Sequence, residues 1–331
     1  MVTELKFVKQ YEKYSVLIKG LHNNETDKTE IFLDFPVVMQ DIAGAEKRLR
    51  YDGFEKAEEG YRAWIEAEDL YGNNYRIEDF WEKGGGFYKL SREVSCTECQ
   101  KETGIRLASE LRCRDFKAES LDDYGFIIPG ALYNKNDTDE DGTDDYLGTY
   151  SQDYKDDRNP SLSVTAFGRK GKSFVSLIRG DQPGQDETIT REQIKKRHFI
   201  HRTDIGSLGV APSMYCVQEV VLRCDYPFYE RNSFCLNVDG SEWAAYKEIG
   251  KGTAFKMTYL ILAGEAENLT DASWKTTCFQ MKRILDPEVK LPFTLEEARR
   301  CRREMVHGSF REFPDKKGSP AGYFIHFSPR S

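Results

Sequence analysis

Short runs of β-branched and aromatic residues recur roughly every ten to fifteen positions along this chain, each closed off by Gly, Asn or Asp. Tyr14–Ile18, Glu30–Phe35, Phe87–Val94 and Ile105–Cys113 are examples, followed by Ser161–Phe167, Ser173–Arg179, Val217–Arg223 and Phe255–Leu262. The turns between runs are explicit at Gly72-Asn73-Asn74, Gly84-Gly85-Gly86, Gly168-Arg169-Lys170-Gly171 and Asp239-Gly240. A period of two, repeated in about a dozen or more segments, excludes a helical bundle and exceeds what one small sandwich holds. The pattern predicts a mainly β fold, a large antiparallel sandwich of two stacked sheets.

Only the C-terminal part breaks this period. Asp271 is placed to cap a helix with Trp274, Cys278, Met281 and Leu285 on one face, and Asp286-Pro287 ends it. Thr294-Leu295-Glu296-Glu297 forms a capping box for a second helix. Its apolar face carries Leu295, Ala298, Cys301 and Met305, and its opposite face Arg299, Arg300, Arg302 and Arg303. A further strand is expected over Tyr323–Phe327. The expected division is a β-sandwich over residues 1–268, then linker helices over 269–331 that begin a second, helical domain continuing beyond Ser331.

Composition narrows the class of function. With 331 residues, 39% apolar, there is material for a large core; 31% charged residues and a net charge of −8 favour a soluble surface and argue against a nucleic-acid partner. The N-terminal residues show no apolar segment of a secretory signal, and no stretch approaches the ~20 apolar residues that span a bilayer. Cysteines at 96, 99, 113, 216, 224, 235, 278 and 301 sit mostly inside apolar patterns, as small buried hydrophobes do. A reducing, cytoplasmic setting is the simplest expectation, with no membrane partner.

Tyr133 to Asp157 holds nine carboxylates against two lysines. Asp137, Asp139 and Asp141 alternate before Gly142, and Asp145 takes the ninth position, which resembles the first half of a calcium loop. Gly148 stands where an EF-hand needs its bidentate glutamate, so an EF-hand is rejected. A Ca2+ site closed by a distant carboxylate and a solvated acidic loop both remain open. Tyr133, Asn134, Tyr146 and Tyr150 supply rings and an amide of the kind that stack on sugars and bond their hydroxyls; Trp81 and Arg92, flanking a glycine turn, are further substrate-binding candidates, though core packing explains them equally. Cys96-Thr-Glu-Cys99 lacks a second pair for zinc, and His198-x-x-His201 lacks an acidic ligand motif. Neither a nucleophile elbow nor a phosphate-binding glycine loop occurs. Glu219, Glu230 and Glu242 are possible catalytic acids, but no catalytic pair is legible.

The stretches YRIEDFWEKGGGFYKLSREV, YGFIIPGALYNKN and FKMTYLILAGEAENLTDASW, with the order of β region, Trp-bearing helix and second helix, resemble a known layout. It is similar to the galactose-mutarotase-like β-supersandwich that precedes the (α/α)6 barrel of six-hairpin glycosidases. That resemblance implies hydrolysis or phosphorolysis of glycosidic bonds in an oligosaccharide or polysaccharide. The catalytic acid would lie in a C-terminal helical domain, and this chain would contribute a substrate-facing loop, best sought in Pro129–Tyr154. A non-catalytic carbohydrate-binding sandwich, stabilised by calcium, is the alternative.

Overall fold

The computed structural model describes residues 2–21, 28–114, 116, 119–120, 123–133, 151–180, 204–213, 219–231, 243–283, 294–308, 310–312 and 321–323. The chain forms two compact units, Met1–Lys282 and Arg283–Ser331.

The first unit opens with β1 (Val2–Gln10), β2 (Lys13–Leu21), β3 (Lys28–Leu33), β4 (Val37–Asp41) and β5 (Glu46–Leu49). There follow β6 (Gly53–Ala57), β7 (Gly60–Glu68), β8 (Asn74–Lys83), β9 (Phe87–Glu98) and β10 (Thr103–Arg114). Next come β11 (Tyr124–Ile128), β12 (Leu132–Tyr133), β13 (Gln152–Lys155), β14 (Ser163–Gly168) and β15 (Ser173–Arg179). The unit closes with β16 (Ser207–Pro212), β17 (Val220–Tyr226), β18 (Tyr229–Glu230), β19 (Trp243–Ala244), β20 (Lys247–Ile249), β21 (Ala254–Glu265) and helix α1 (Leu269–Arg283).

Ten of these strands make one sheet, ordered β1-β2-β3-β10-β17-β16-β13, with β4 and β20 also paired to β10 and β5 to β4. Nine make the second, ordered β12-β11-β14-β15-β21-β9-β8-β7-β6. All ladders are antiparallel, as expected for the two-sheet sandwich. Each of the eight apolar runs named from sequence overlaps a strand.

Alternation explains how the layers stack. In β8, Tyr75, Ile77, Asp79 and Trp81 are buried while the residues between them are half-buried. On the adjoining β9, Leu90 and Val94, the register partners of Trp81 and Ile77, are buried too, as are Leu107 and Leu111 of β10. Polar atoms also cross between the sheets. Arg92 of β9 donates from Nε and Nη2 to the two Asp79 oxygens at 2.7 Å each, and from Nη1 to Ser109 Oγ of β10 at 3.0 Å. Its Nη2 also reaches the Pro36 carbonyl at 2.9 Å. Tyr51 donates to Asp79, and Trp81 Nε1 donates to Tyr51 Oη at 3.1 Å.

Both faces of β14 and β15 are buried, because α1 lies against the outer side of the second sheet. Asn268 caps this helix, its Oδ1 accepting from Asp271 N at 2.9 Å, while the Asp271 carboxylate accepts from Glu267 N at 3.0 Å. The helix therefore starts just before the expected cap, Asp271. The buried face also differs from the expected one. Trp274 is 63% exposed and Met281 55%, whereas Ala272 and Thr276 are buried. Small residues let helix and sheet approach until Thr276 Oγ1 lies 2.7 Å from Ser176 Oγ of β15. The expected face assumed that bulk marks burial; here closeness selects Ala and Thr. This packing joins α1 to the sandwich, so the compact unit extends to Lys282 instead of stopping at residue 268.

In the second unit, α2 (Leu295–Gly308) has the expected capping box: Glu297 N donates to Thr294 Oγ1 at 3.2 Å, and Thr294 N donates to Glu297 Oε2 at 2.7 Å. β22 (Phe310–Glu312) and β23 (Ala321–Tyr323) pair as a hairpin; of the expected last strand, Tyr323–Phe327, only Tyr323 lies among the described residues, and it ends β23. Among the described residues no helix is long and apolar enough to cross a membrane.

Candidate functional site

The ten-stranded sheet has one face in the core and one turned away from it. Residues opposite each other in an antiparallel ladder share a face, and side chains two apart share it too. Gln40 opposes Arg106, Ala108 opposes Asp225, Asp225 opposes Ser207, and Asp153 opposes Gly209. Arg106, Arg223, Asp225, Asp153 and Lys155 are thereby gathered across β10, β17, β16 and β13 on the outer face. Small neighbours keep room between them. A methyl group on Gly209 would stand 2.2 Å from Asp153 Oδ1, so glycine is required for that carboxylate to lie flat against β16.

Asp225 sits between two guanidiniums. Arg106 Nη1 reaches its Oδ1 at 2.5 Å, and Arg223 contacts both oxygens at 2.8 and 3.0 Å. The Tyr229 ring covers both, 4.4 Å from Arg106 Cζ and 5.0 Å from that of Arg223. Burial pushes the Asp153 carboxyl up to about 7; Arg223 opposes this, and the Asp225 charge adds to it. A carboxyl that exchanges its proton near neutrality can act as acid or base.

Beside this row stands a second group. Glu230 of β18 is fully buried, with Arg158 Nη1 3.3 Å and Lys155 Nζ 3.7 Å from its Oε2. Burial holds the Glu230 carboxyl above the usual range despite Lys155 and Arg158. Trp243 is the register partner of Glu230 on β19 and is only half-buried. Its ring lies 5.0 Å from Arg158 Cζ and 5.7 Å from Lys155 Nζ. A buried carboxyl, two cations and a partly exposed indole therefore meet where β18 runs beside β13. Isolated buried charge is costly, so a concentration of this kind marks a functional-site candidate.

The expected site residues fall as follows. Trp81 is fully buried and Arg92 is 1% exposed, both saturated by the Asp79 network. That placement corrects their assignment to substrate binding: they tie the sheets together. Tyr133 ends β12, with its backbone paired to Ile127. Asn134, Tyr146 and Tyr150, and the calcium candidates Asp137, Asp139, Asp141 and Asp145, lie outside the described residues, as do His198, His201 and Glu242. Among the described residues no three His, Cys, Asp or Glu side chains converge on a metal position. The acidic stretch itself is not all loop: Gln152–Lys155 is a strand, and Asp153 and Asp156 are buried. Glu219 is buried against Arg112 and Arg114, at 2.5 and 3.2 Å. Cys96 and Cys99 are free thiols, and burial, with Cys99 nearby, pushes the Cys96 thiol up.

Sequence reasoning passed over Asp153, Lys155, Arg158, Arg106, Arg223, Asp225 and Trp243. One signal was available. Arg223-Cys224-Asp225 and Asp153-Tyr154-Lys155 put charges at alternate strand positions, the mark of a polar sheet face.

No protein-family profile matches the sequence, and no curated protein is significantly similar to it. Solved structures with a similar layout include a galactose mutarotase related enzyme from Lactobacillus acidophilus, at 10% identity and a TM-score of 0.43, covering 78% of this chain and 97% of that one. A putative aldose 1-epimerase from Escherichia coli K12 gives 6% identity and 0.42, covering 80% and 100%. The 4-alpha-glucanotransferase from Thermococcus litoralis gives 8% and 0.36, covering 79% of this chain and 41% of that one. At such scores the likeness is one of coarse layout and bears on neither activity nor substrate.

Proposed function

We propose that the chain handles carbohydrate on the outer face of the ten-stranded sheet, with Trp243 as stacking surface and Arg158 as hydroxyl-bonding group, held in place by the buried Glu230 and Lys155. The observation that carries this reading is the buried Glu230 carboxyl between two cations beside a half-buried indole. An apolar sugar face stacks on a ring while charged groups bond the hydroxyls at its edge, and this set supplies both. The Asp153 carboxyl, pushed up to about 7 by burial, adds a proton donor near neutrality, which suits a glycoside hydrolase or phosphorylase whose remaining catalytic groups come from a helical domain. A non-catalytic glycan-binding sandwich is the second reading, favoured by the pairing of Asp225 and Glu230 with cations. The cytoplasmic setting belongs to the proposal and fits the free thiols of the described cysteines.

A glycan microarray tests the site. We expect binding in the parent chain and about tenfold weaker binding in Glu230→Gln and in Trp243→Ala, both still folded by circular dichroism. Unaltered binding in both variants removes this site from the reading.

The sequence proposal of calcium at Asp137, Asp139, Asp141 and Asp145 has its own check. Millimolar CaCl2 should raise the melting temperature by a few degrees through preferential binding to the native state, and Asp139→Ala should abolish the rise. An unchanged melting curve rejects calcium. Tyr133, Asn134, Tyr146 and Tyr150 stay in the proposal as sugar contacts to be scanned on the same array.

A further inference from the structure

A groove of about 640 Å³ opens on the same sheet face, beside the site just proposed. Ile42, Tyr71, Gly104, Ala244 and Tyr246 form its apolar walls. Ile42 is 61% exposed, and Tyr71 and Tyr246 are half-buried, so two rings and an aliphatic side chain meet solvent together. Gly104 makes the floor: a methyl group there would press on Tyr246 Cβ at 2.9 Å, so its absence keeps the groove deep. The rim carries Lys101, whose ammonium lies 4.4 Å over the Tyr71 ring, with the exposed carboxylates Glu102 and Glu248. One ammonium against two carboxylates does not suit an anion. Rings with hydrogen-bonding charges of both signs suit a neutral, polyhydroxylated ligand.

The groove is continuous with the row of charges. Gly104 and Arg106 are two residues apart on the outer face of β10, about 7 Å along the strand. Ile42, just past the end of β4 and two residues on from Gln40, the register partner of Arg106, donates its N–H to the Gly104 carbonyl at 2.9 Å. Ala244 is paired with Tyr229, whose ring covers Arg106. Trp243, the neighbour of Ala244 in sequence, faces Glu230 on the other side of the β18–β19 ribbon. The ribbon is thus a shared wall with an aromatic surface on either side.

We propose that this groove is a second sugar subsite, so that the ligand is an oligosaccharide lying across the β18–β19 ribbon and not a single sugar. The inference rests on the carbohydrate reading above and deepens it. A chain filling only the Trp243 side forgoes the contacts at Tyr71, Tyr246 and Ile42.

A microarray carrying mono-, di- and tetrasaccharides of glucose, galactose, mannose and xylose supplies the probes, with affinities of the strongest series measured by calorimetry. We expect the tetrasaccharide to bind at least about tenfold more tightly than its monosaccharide. In Tyr246→Ala the ratio should fall close to one while monosaccharide affinity is kept. Ile42→Ala, at a position 61% exposed, should lower the ratio in the same direction. Affinity independent of chain length, or a length advantage that survives in both variants, overturns the groove as a subsite and leaves the Glu230 site standing. Failure of every sugar to bind overturns both.

Discussion

Replacing Asp79 with alanine should cost about 3–5 kcal/mol of stability, a large share of the ~5–15 kcal/mol that holds a domain folded. The cause is the charge left behind. Arg92 is 1% exposed, and both Asp79 oxygens accept from it at 2.7 Å. Asp79 also holds the Tyr51 hydroxyl, whose ionisation is pushed well above the ordinary value by burial and by the carboxylate beside it. Without Asp79 the guanidinium keeps only the Ser109 hydroxyl and the Pro36 carbonyl, too little to offset the loss of water. Urea titration followed by tryptophan fluorescence measures the change. Removing the charge as well, in Asp79→Leu with Arg92→Met, should recover most of the loss, because an apolar pair of similar volume avoids the buried ion. A single variant as stable as the parent would show that Arg92 finds solvent in the folded chain.

The second large effect is on pH dependence. Asp153 ordinarily titrates near 3.8 but is pushed up to about 7 by burial. Between those values the folded chain holds a proton that the unfolded chain has released. Stability from this residue is therefore full below about pH 4, falls as pH rises toward 7 and levels off above it. The fall amounts to a few kcal/mol at most, since one pH unit of difference corresponds to about 1.4 kcal/mol. Asp153→Asn should flatten this part of the stability profile, seen as a variant that gains on the parent steadily from pH 4 to 7. Parallel profiles for the two proteins would mean that the Asp153 carboxyl is ionised throughout. The same titration predicts a change near neutrality in any activity that uses Asp153 as acid or base.

The two sheets were legible because apolar side chains at alternate positions leave few other ways to bury themselves. Phe87–Val94 and Phe255–Leu262 were read as separate strands, and the structure pairs them as neighbours. The face of α1 was not legible. Trp274 and Met281 outweigh Ala272 and Thr276 in any hydrophobicity sum, yet the outer side of β14 and β15 presents Thr165 and Ser176, which only short side chains approach closely. The site was half legible. Glu230 stood out as one of three glutamates in strand-rich sequence, but its cations come from residues 155 and 158, more than seventy positions away. Trp81 and Arg92 were misplaced for the reverse reason. An arginine beside aromatic residues suggests a ligand site until the partner carboxylate, thirteen residues back on the adjoining strand, is found pointing at it.

The position of α1 has a practical consequence for handling the molecule. The helix shields the far layer, and Trp274 and Met281 project from it away from the polar sheet. A biotin or dye coupled at position 274 would anchor the first unit to a sensor chip with the Glu230–Trp243 face and its groove turned to the flowing analyte.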